Sequence, residues 1–191
     1  KPAAMPALCA LMANSTHKPH RLMVCDVLTE MAKQNPSHLI KGLTDSRWYY
    51  VRNLVYIMGK VNNPQFAKSL APLVTHSDVR VRKEALRTLR ILCPGGSADR
   101  FVAFLNDREE SIRLLAVKIL TTGQYSAPFT TWSPIVTAKA FQARSLSEKR
   151  GVFQAMSRAG GEDIVPYSRD LVTKWFWTNR KNRQETGVLA V

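Results

Sequence analysis

Three stretches of the chain repeat one another at a fixed step, and no other feature constrains the fold as strongly. Trp48-Tyr-Tyr-Val-Arg-Asn-Leu-Val-Tyr-Ile-Met58, Val79-Arg-Val-Arg-Lys-Glu-Ala-Leu-Arg-Thr-Leu89 and Ser111-Ile-Arg-Leu-Leu-Ala-Val-Lys-Ile-Leu120 align with Met58, Leu89 and Leu120 at intervals of 31 residues. The same register matches Tyr50 with Val81 and Ile112, and Leu54 with Ala85 and Ala116. A period near thirty residues is the mark of a stacked array. One such unit cannot bury its own apolar face, so neighbours must cover it on both sides.

Extending the pattern both ways predicts six helical pairs at about 1–34, 35–62, 63–94, 95–124, 125–160 and 161–191, the last incomplete. The first pairs a helix over about Ala3 to Ala13 with one over about Pro19 to Lys33. Asn35-Pro36 and Asn63-Pro64 open the second and third, since a proline at the first helical position loses no hydrogen bond. The second pair has a short helix, Ser37 to Leu43, and a long one, Ser46 to Lys60. In the third pair His76-Ser-Asp78 makes the turn and Cys93-Pro94-Gly-Gly96 the stop. Asp107-Arg-Glu-Glu110 and Ser145-Leu-Ser-Glu148 read as capping boxes before the second helices of the fourth and fifth pairs. Met156 follows Leu120 by 36 residues, so the fifth carries an insertion, with its first helix over Trp132 to Gln142.

At 191 residues, with 45% hydrophobic and 22% charged residues, the composition is that of an ordered chain. No apolar run approaches the roughly 18 residues of a membrane span. Cys9, Cys25 and Cys93 are odd in number and widely spaced, which argues against a disulfide framework or a cysteine zinc site and leads us to expect three buried thiols in a cytoplasmic protein. The chain starts at Lys1 and stops within an apolar run, Gly187-Val-Leu-Ala-Val191, so a piece of a longer parent protein is expected.

Asp78-x-Arg-Val-Arg-x-x-Ala-Leu-x-x-Leu89, Val51-Arg-Asn53 and Ile112-Arg-Leu-Leu-Ala116 resemble the short, bacterial-type HEAT repeats, most specifically over Asn35 to Gly123. The ankyrin and tetratricopeptide signatures are missing. The resemblance implies an all-α fold, a right-handed α-solenoid of about six HEAT-like helical hairpins whose second helices line a concave face. It also implies a scaffold for binding protein, and it implies neither a reaction nor a cofactor.

The unusual bulk property is charge. Lys and Arg number 28 against 14 Asp and Glu, a net +14, which speaks to partners. If Val81, Ala85, Leu89 and Leu92 face the core, then Arg80, Lys83, Arg87 and Arg90 share the opposite face at three- and four-residue steps. The repeat register carries that face to Tyr49, Arg52 and Tyr56 in the preceding unit, to Lys118 in the following one and to Arg150 in the fifth. These residues form the expected basic contact surface, for a protein partner of acidic character. The competing structural reading is that the Arg of each Val-Arg pair supports packing or caps a neighbouring turn. A second contact is expected at Trp175 and Trp177 with Arg180, Lys181 and Arg183, where aromatics stand beside cations, unless the tryptophans close the core. Trp48 and Trp132 are expected in the core.

No catalytic motif is present, and His17, His20, Cys25 and Asp26 do not make a four-ligand metal set. Nucleic acid is the alternative partner, because phosphates need only Lys and Arg suitably spaced on a surface. Within that alternative the chain resembles the HEAT-like alkylpurine DNA glycosylases only through Asp45, Trp48 and Arg52. The HEAT-type phycobilin lyases share no specific feature with it.

Overall fold

The computed structural model describes residues 4–95, 98–122, 125, 127–160, 165 and 169, in which helices joined by turns and loops are the regular elements and no strand occurs. The chain forms two compact units, Lys1–Pro94 and Gly95–Val191. In the first, α1 (Ala4–Asn14) and α2 (Lys18–Gln34) make a hairpin. Next, α3 (Ser37–Lys41) with a 3-10 turn at Gly42–Thr44 leads into α4 (Trp48–Val61). Likewise α5 (Phe66–Leu70) and a 3-10 stretch at Ala71–Thr75 lead into α6 (Val79–Leu92). Helix α2 packs on α4 and α4 on α6, so the long helices stack as in an α-solenoid.

The second unit holds α7 (Asp99–Val102) with a 3-10 turn at Ala103–Asn106, α8 (Glu110–Thr122), α9 (Phe129–Thr137) with a 3-10 turn at Lys139–Ala143, and α10 (Leu146–Gly160). Helix α10 packs on both α8 and α9. The sixth expected pair lies outside the described residues, Val165 and Arg169 apart.

The period governs the helices directly. Helices α4, α6 and α8 begin at residues 48, 79 and 110, a step of 31. Every member of the aligned sets Tyr50/Val81/Ile112, Leu54/Ala85/Ala116 and Met58/Leu89/Leu120 is buried. Each Leu, Val, Ile or Met of these sets removed from water contributes about 1.5–3 kcal/mol, and each alanine less. Packing is closest between α4 and α6, where Gly59 faces Thr88 and the Thr88 hydroxyl donates to the Val55 carbonyl at 3.2 Å. Asn62 ends α4 in the left-handed conformation, φ 55°, a role open to asparagine as well as glycine.

Two polar devices recur along the chain. Asp45 accepts from the Arg47 N–H at 2.8 Å and Asp78 from the Arg80 N–H at 2.8 Å, and each carboxylate also holds that arginine's guanidinium. The Arg47 contact at the turn explains why α4 starts at Trp48 and not at Ser46. The second device is an arginine in the first turns of a long helix whose Nη1 donates back to two carbonyls of the preceding turn. Arg21 reaches Ser15 and Thr16, Arg82 reaches His76 and Ser77, and Arg113 reaches Asp107 and Arg108, all within 2.8–3.1 Å. For Arg82 and Arg113 the packing role expected of a Val-Arg or Ile-Arg pair is thus the observed one.

The two predicted capping boxes form only on one side. Asp107 accepts from the Glu109 N–H at 2.8 Å and Ser145 Oγ accepts from the Glu148 N–H at 3.3 Å. Their glutamates turn elsewhere: Glu110 accepts from the Ser145 hydroxyl, and Glu148 is drawn inside. Glu148 is fully buried and binds Arg113 at 2.7 and 2.9 Å and Arg144 at 2.9 Å. Tertiary pairing outcompetes the local bond, because a buried carboxylate needs cationic partners. Cys9, Cys25 and Cys93 are buried thiols, and Trp132 is buried with its indole N–H donating to the Ala127 carbonyl.

Candidate functional site

Side-by-side packing of α4 and α6 leaves a groove of about 330 Å³ between their N-terminal halves. The 31-residue register puts Tyr49 level with Arg80, Arg52 with Lys83, and Tyr56 with Arg87. On α6, Arg82, Glu84, Leu86 and Thr88 are buried beside Val81, Ala85 and Leu89. What remains open on α6 is a narrow stripe on which Arg80, Arg87 and Arg90 are exposed and Lys83 half-buried.

Trp48, Tyr49, Arg52 and Asn53 line the groove from α4, and Arg80, Lys83, Glu84 and Arg87 from α6, with Arg21 of α2 at its edge. Arg80 is committed to the wall. Its guanidinium lies 3.2 Å from the centroid of the Trp48 ring and is forked by Asp78 at 2.7 and 3.0 Å. The Arg80 hydrogen bonds hold the Asp78 carboxyl below the usual carboxylate range, with help from the Arg80 backbone N–H. Tyr49 meets Trp48 edge to face at 5.7 Å and stays exposed.

Glu84 is the one carboxylate lining the groove. Its Oε2 stands 3.6 Å from Arg52 Nη2 and 3.8 Å from Arg87 Nη1, beyond the usual hydrogen-bond range. Arg52 also donates to Asn53 Oδ1 at 3.1 Å. Lys83 has no hydrogen-bond or ion-pair partner among the described residues. The groove therefore concentrates positive charge around one fixed negative group.

Of the residues expected at the contact surface, Tyr49, Arg52, Arg80, Lys83 and Arg87 line this groove together. Tyr56 and Arg90 sit on the same two helices outside its lining. The Tyr56 ring lies near Arg52 and Lys60, and Lys60 pairs with Asp26 at 2.7 Å. Lys118 on α8 and Arg150 on α10 are exposed in the second unit. Trp175, Trp177, Arg180, Lys181 and Arg183 lie outside the described residues.

Sequence reasoning missed Arg21, Asn53 and Glu84, and placed Trp48 in the core where it instead forms the half-buried groove wall. Glu84 was detectable as the one acidic residue within the α6 cationic run; Arg21 was not, since its neighbour relation to α4 is tertiary. Asp45 does not join Trp48 and Arg52. It lines a separate groove of about 410 Å³ with Cys9, Lys41, Arg47 and Tyr50. There burial pushes the Cys9 thiol up and the Tyr50 phenol up to about 12. Among the described residues no group of three His, Cys, Asp or Glu is placed to hold a metal ion, and no helix is long and apolar enough to cross a membrane.

Residues 36–121 match a family model described as HEAT repeats. Among solved structures, the crystal structure of an engineered protein is similar over 98% of this chain and 94% of that one, at 16% identity and a TM-score of 0.43. No curated protein matches the chain significantly.

Proposed function

Because the chain carries HEAT repeats across residues 36–121, and such repeats are commonly protein-interaction scaffolds, we propose that it is a non-enzymatic scaffold that binds an acidic protein partner through the basic face of α4 and α6. The observation that carries this reading is the groove itself. Arg52 and Arg87 converge on one buried carboxylate, with Lys83 lining the same groove, beside an aromatic wall of Trp48 and Tyr49. Like charges held together in this way favour an anionic visitor, and the net +14 of the chain would steer such a partner to it and raise the encounter rate.

The test is a triple variant, Arg80→Glu, Lys83→Glu and Arg87→Glu, with binding of a labelled acidic peptide followed by fluorescence anisotropy. Binding is expected to disappear while the helical circular dichroism persists. Unchanged affinity rejects the reading. A nucleic-acid partner is the alternative, favoured by exposed Tyr49 and the Trp48 wall among cations, an arrangement on which single strands stack. Labelled duplex and single strand titrated across a salt series, with heparin as control, separate the two. Binding that exceeds heparin and falls steeply with salt establishes the nucleic-acid alternative.

A further inference from the structure

Resting on the reading of this face as a site for an acidic protein, we propose that the groove receives a phosphorylated side chain of the partner, clamped between Arg52 of α4 and Arg87 of α6. Glu84 acts as the internal counter-ion that orients the clamp. The two guanidiniums belong to different helices, yet each has a terminal nitrogen within 4 Å of the same Glu84 oxygen, so a single small anion spans both. Glu84 is 8% exposed and cannot swing away, whereas the Arg52 and Arg87 side chains are 41% and 52% exposed. The arginines therefore meet Glu84 on the inside and present their remaining N–H donors outward. Each guanidinium has five such donors. Among the described residues, the only one committed to a hydrogen bond here is Arg52 Nη1, to Asn53.

Charge and shape select the ligand class. Within the clamp, Arg52, Lys83 and Arg87 against Glu84 leave an excess of about two positive charges, with Arg21 at the groove's edge. A carboxylate neutralises half of that; a phosphate monoester carries about −1.5 to −2 at neutral pH. A carboxylate presents its two oxygens in one plane and is suited to a single arginine fork. A phosphoryl group offers three acceptor oxygens in different directions, matching donors that arrive from Arg52 on α4 and from Lys83 and Arg87 on α6. Arg80, held by Asp78 and stacked on Trp48, is already neutralised and belongs to the wall. With Tyr49 it supplies the surface against which the residue beside the phosphate would lie.

The experiment uses the full chain and three fluorescein-labelled pools of degenerate peptides, alike except at one fixed central position that is phosphoserine, glutamate or serine. A poly-dT strand of matched charge completes the set. The phosphoserine pool is expected to bind roughly ten-fold more tightly than the glutamate pool. Arg87→Ala and Arg52→Ala are each expected to erase that preference with the circular dichroism unchanged, and Glu84→Gln, which removes the counter-ion facing both arginines, is expected to reduce it. Equal binding of phosphoserine and glutamate pools overturns this inference and leaves the acidic-partner reading standing. Failure of every peptide pool overturns both. Preference for poly-dT over phosphoserine overturns both in favour of nucleic acid.

Discussion

Glu148→Gln isolates the buried ion cluster of the second unit. The wild-type carboxylate is fully buried and accepts three charge-assisted hydrogen bonds, two from Arg113 at 2.7 and 2.9 Å and one from Arg144 at 2.9 Å. The glutamine amide has nearly the same volume but turns an N–H donor group toward a guanidinium. Both arginine side chains are 15% and 11% exposed, so water reaches them poorly. Burial already lowers the Arg144 pKa, while the Glu148 hydrogen bonds raise that of Arg113. Three lost bonds at about 1.5–3 kcal/mol each set an upper bound. Arg113 keeps its bonds to the Asp107 and Arg108 carbonyls, which reduces the loss to about 3–5 kcal/mol, the usual cost of removing one member of a buried ion cluster.

Urea unfolding followed by far-ultraviolet circular dichroism reads this directly. With a denaturant slope of roughly 2 kcal/mol per molar, a loss near 4 kcal/mol lowers the midpoint of the second unit by roughly 2 M. Raising salt to about 1 M is expected to leave that difference in place, because buried pairs are weakly screened. A matched triple variant, Arg113→Met, Arg144→Leu and Glu148→Leu, is expected to unfold near the wild-type midpoint or above it. A midpoint for Glu148→Gln within experimental error of wild type refutes the reasoning. Equal destabilisation of the triple variant refutes the assignment of the loss to uncompensated charge.

Three further outcomes follow from the same geometry. Asp78→Ala removes the cap of α6 and is expected to cost about 1 kcal/mol in urea unfolding, while Asp78→Asn, which keeps a capping oxygen, is expected to cost less. Gly151→Ala would gain up to about 1 kcal/mol in helix propensity. Its new Cβ, however, stands 2.9 Å from Val117 Cγ1, so a net destabilisation of about 1 kcal/mol is expected from overpacking. The pH profile of the unfolding midpoint is expected to fall at both ends. Asp45 and Asp78 are depressed by hydrogen bonds from Arg47 and Arg80, so below their ordinary value of 3.8 the unfolded chain binds more protons and stability declines. Cys9, Cys25 and Tyr50 are raised by burial, so above the ordinary thiol value of 9.0 the unfolded chain gives up protons that the native state keeps, and stability declines again. Asp45→Asn with Asp78→Asn should flatten the acid limb, and Cys9→Ala with Cys25→Ala should weaken the alkaline one.

The repeat period by itself determined the helix order, the step of 31 and the buried face, because a fixed spacing of apolar residues can be satisfied only by helices stacked in register. It also identified the α6 cationic stripe, since residues three and four apart share a helix face whatever the tertiary context. Which cations share a groove was decided by packing. Tyr49, Arg52, Arg80, Lys83 and Arg87 line one because α4 and α6 lie side by side, while Tyr56 and Arg90, equally plausible on a helical wheel, fall outside it. Trp48 was legible only as a large apolar residue at a helix start; that it forms a wall beneath Arg80 depends on the neighbouring repeat. Glu148 shows the same division. The Ser145 to Glu148 spacing marked a helix start correctly, but the carboxylate's destination was set by Arg113, 35 residues away in sequence, because a charge removed from water goes to the partner that best compensates it.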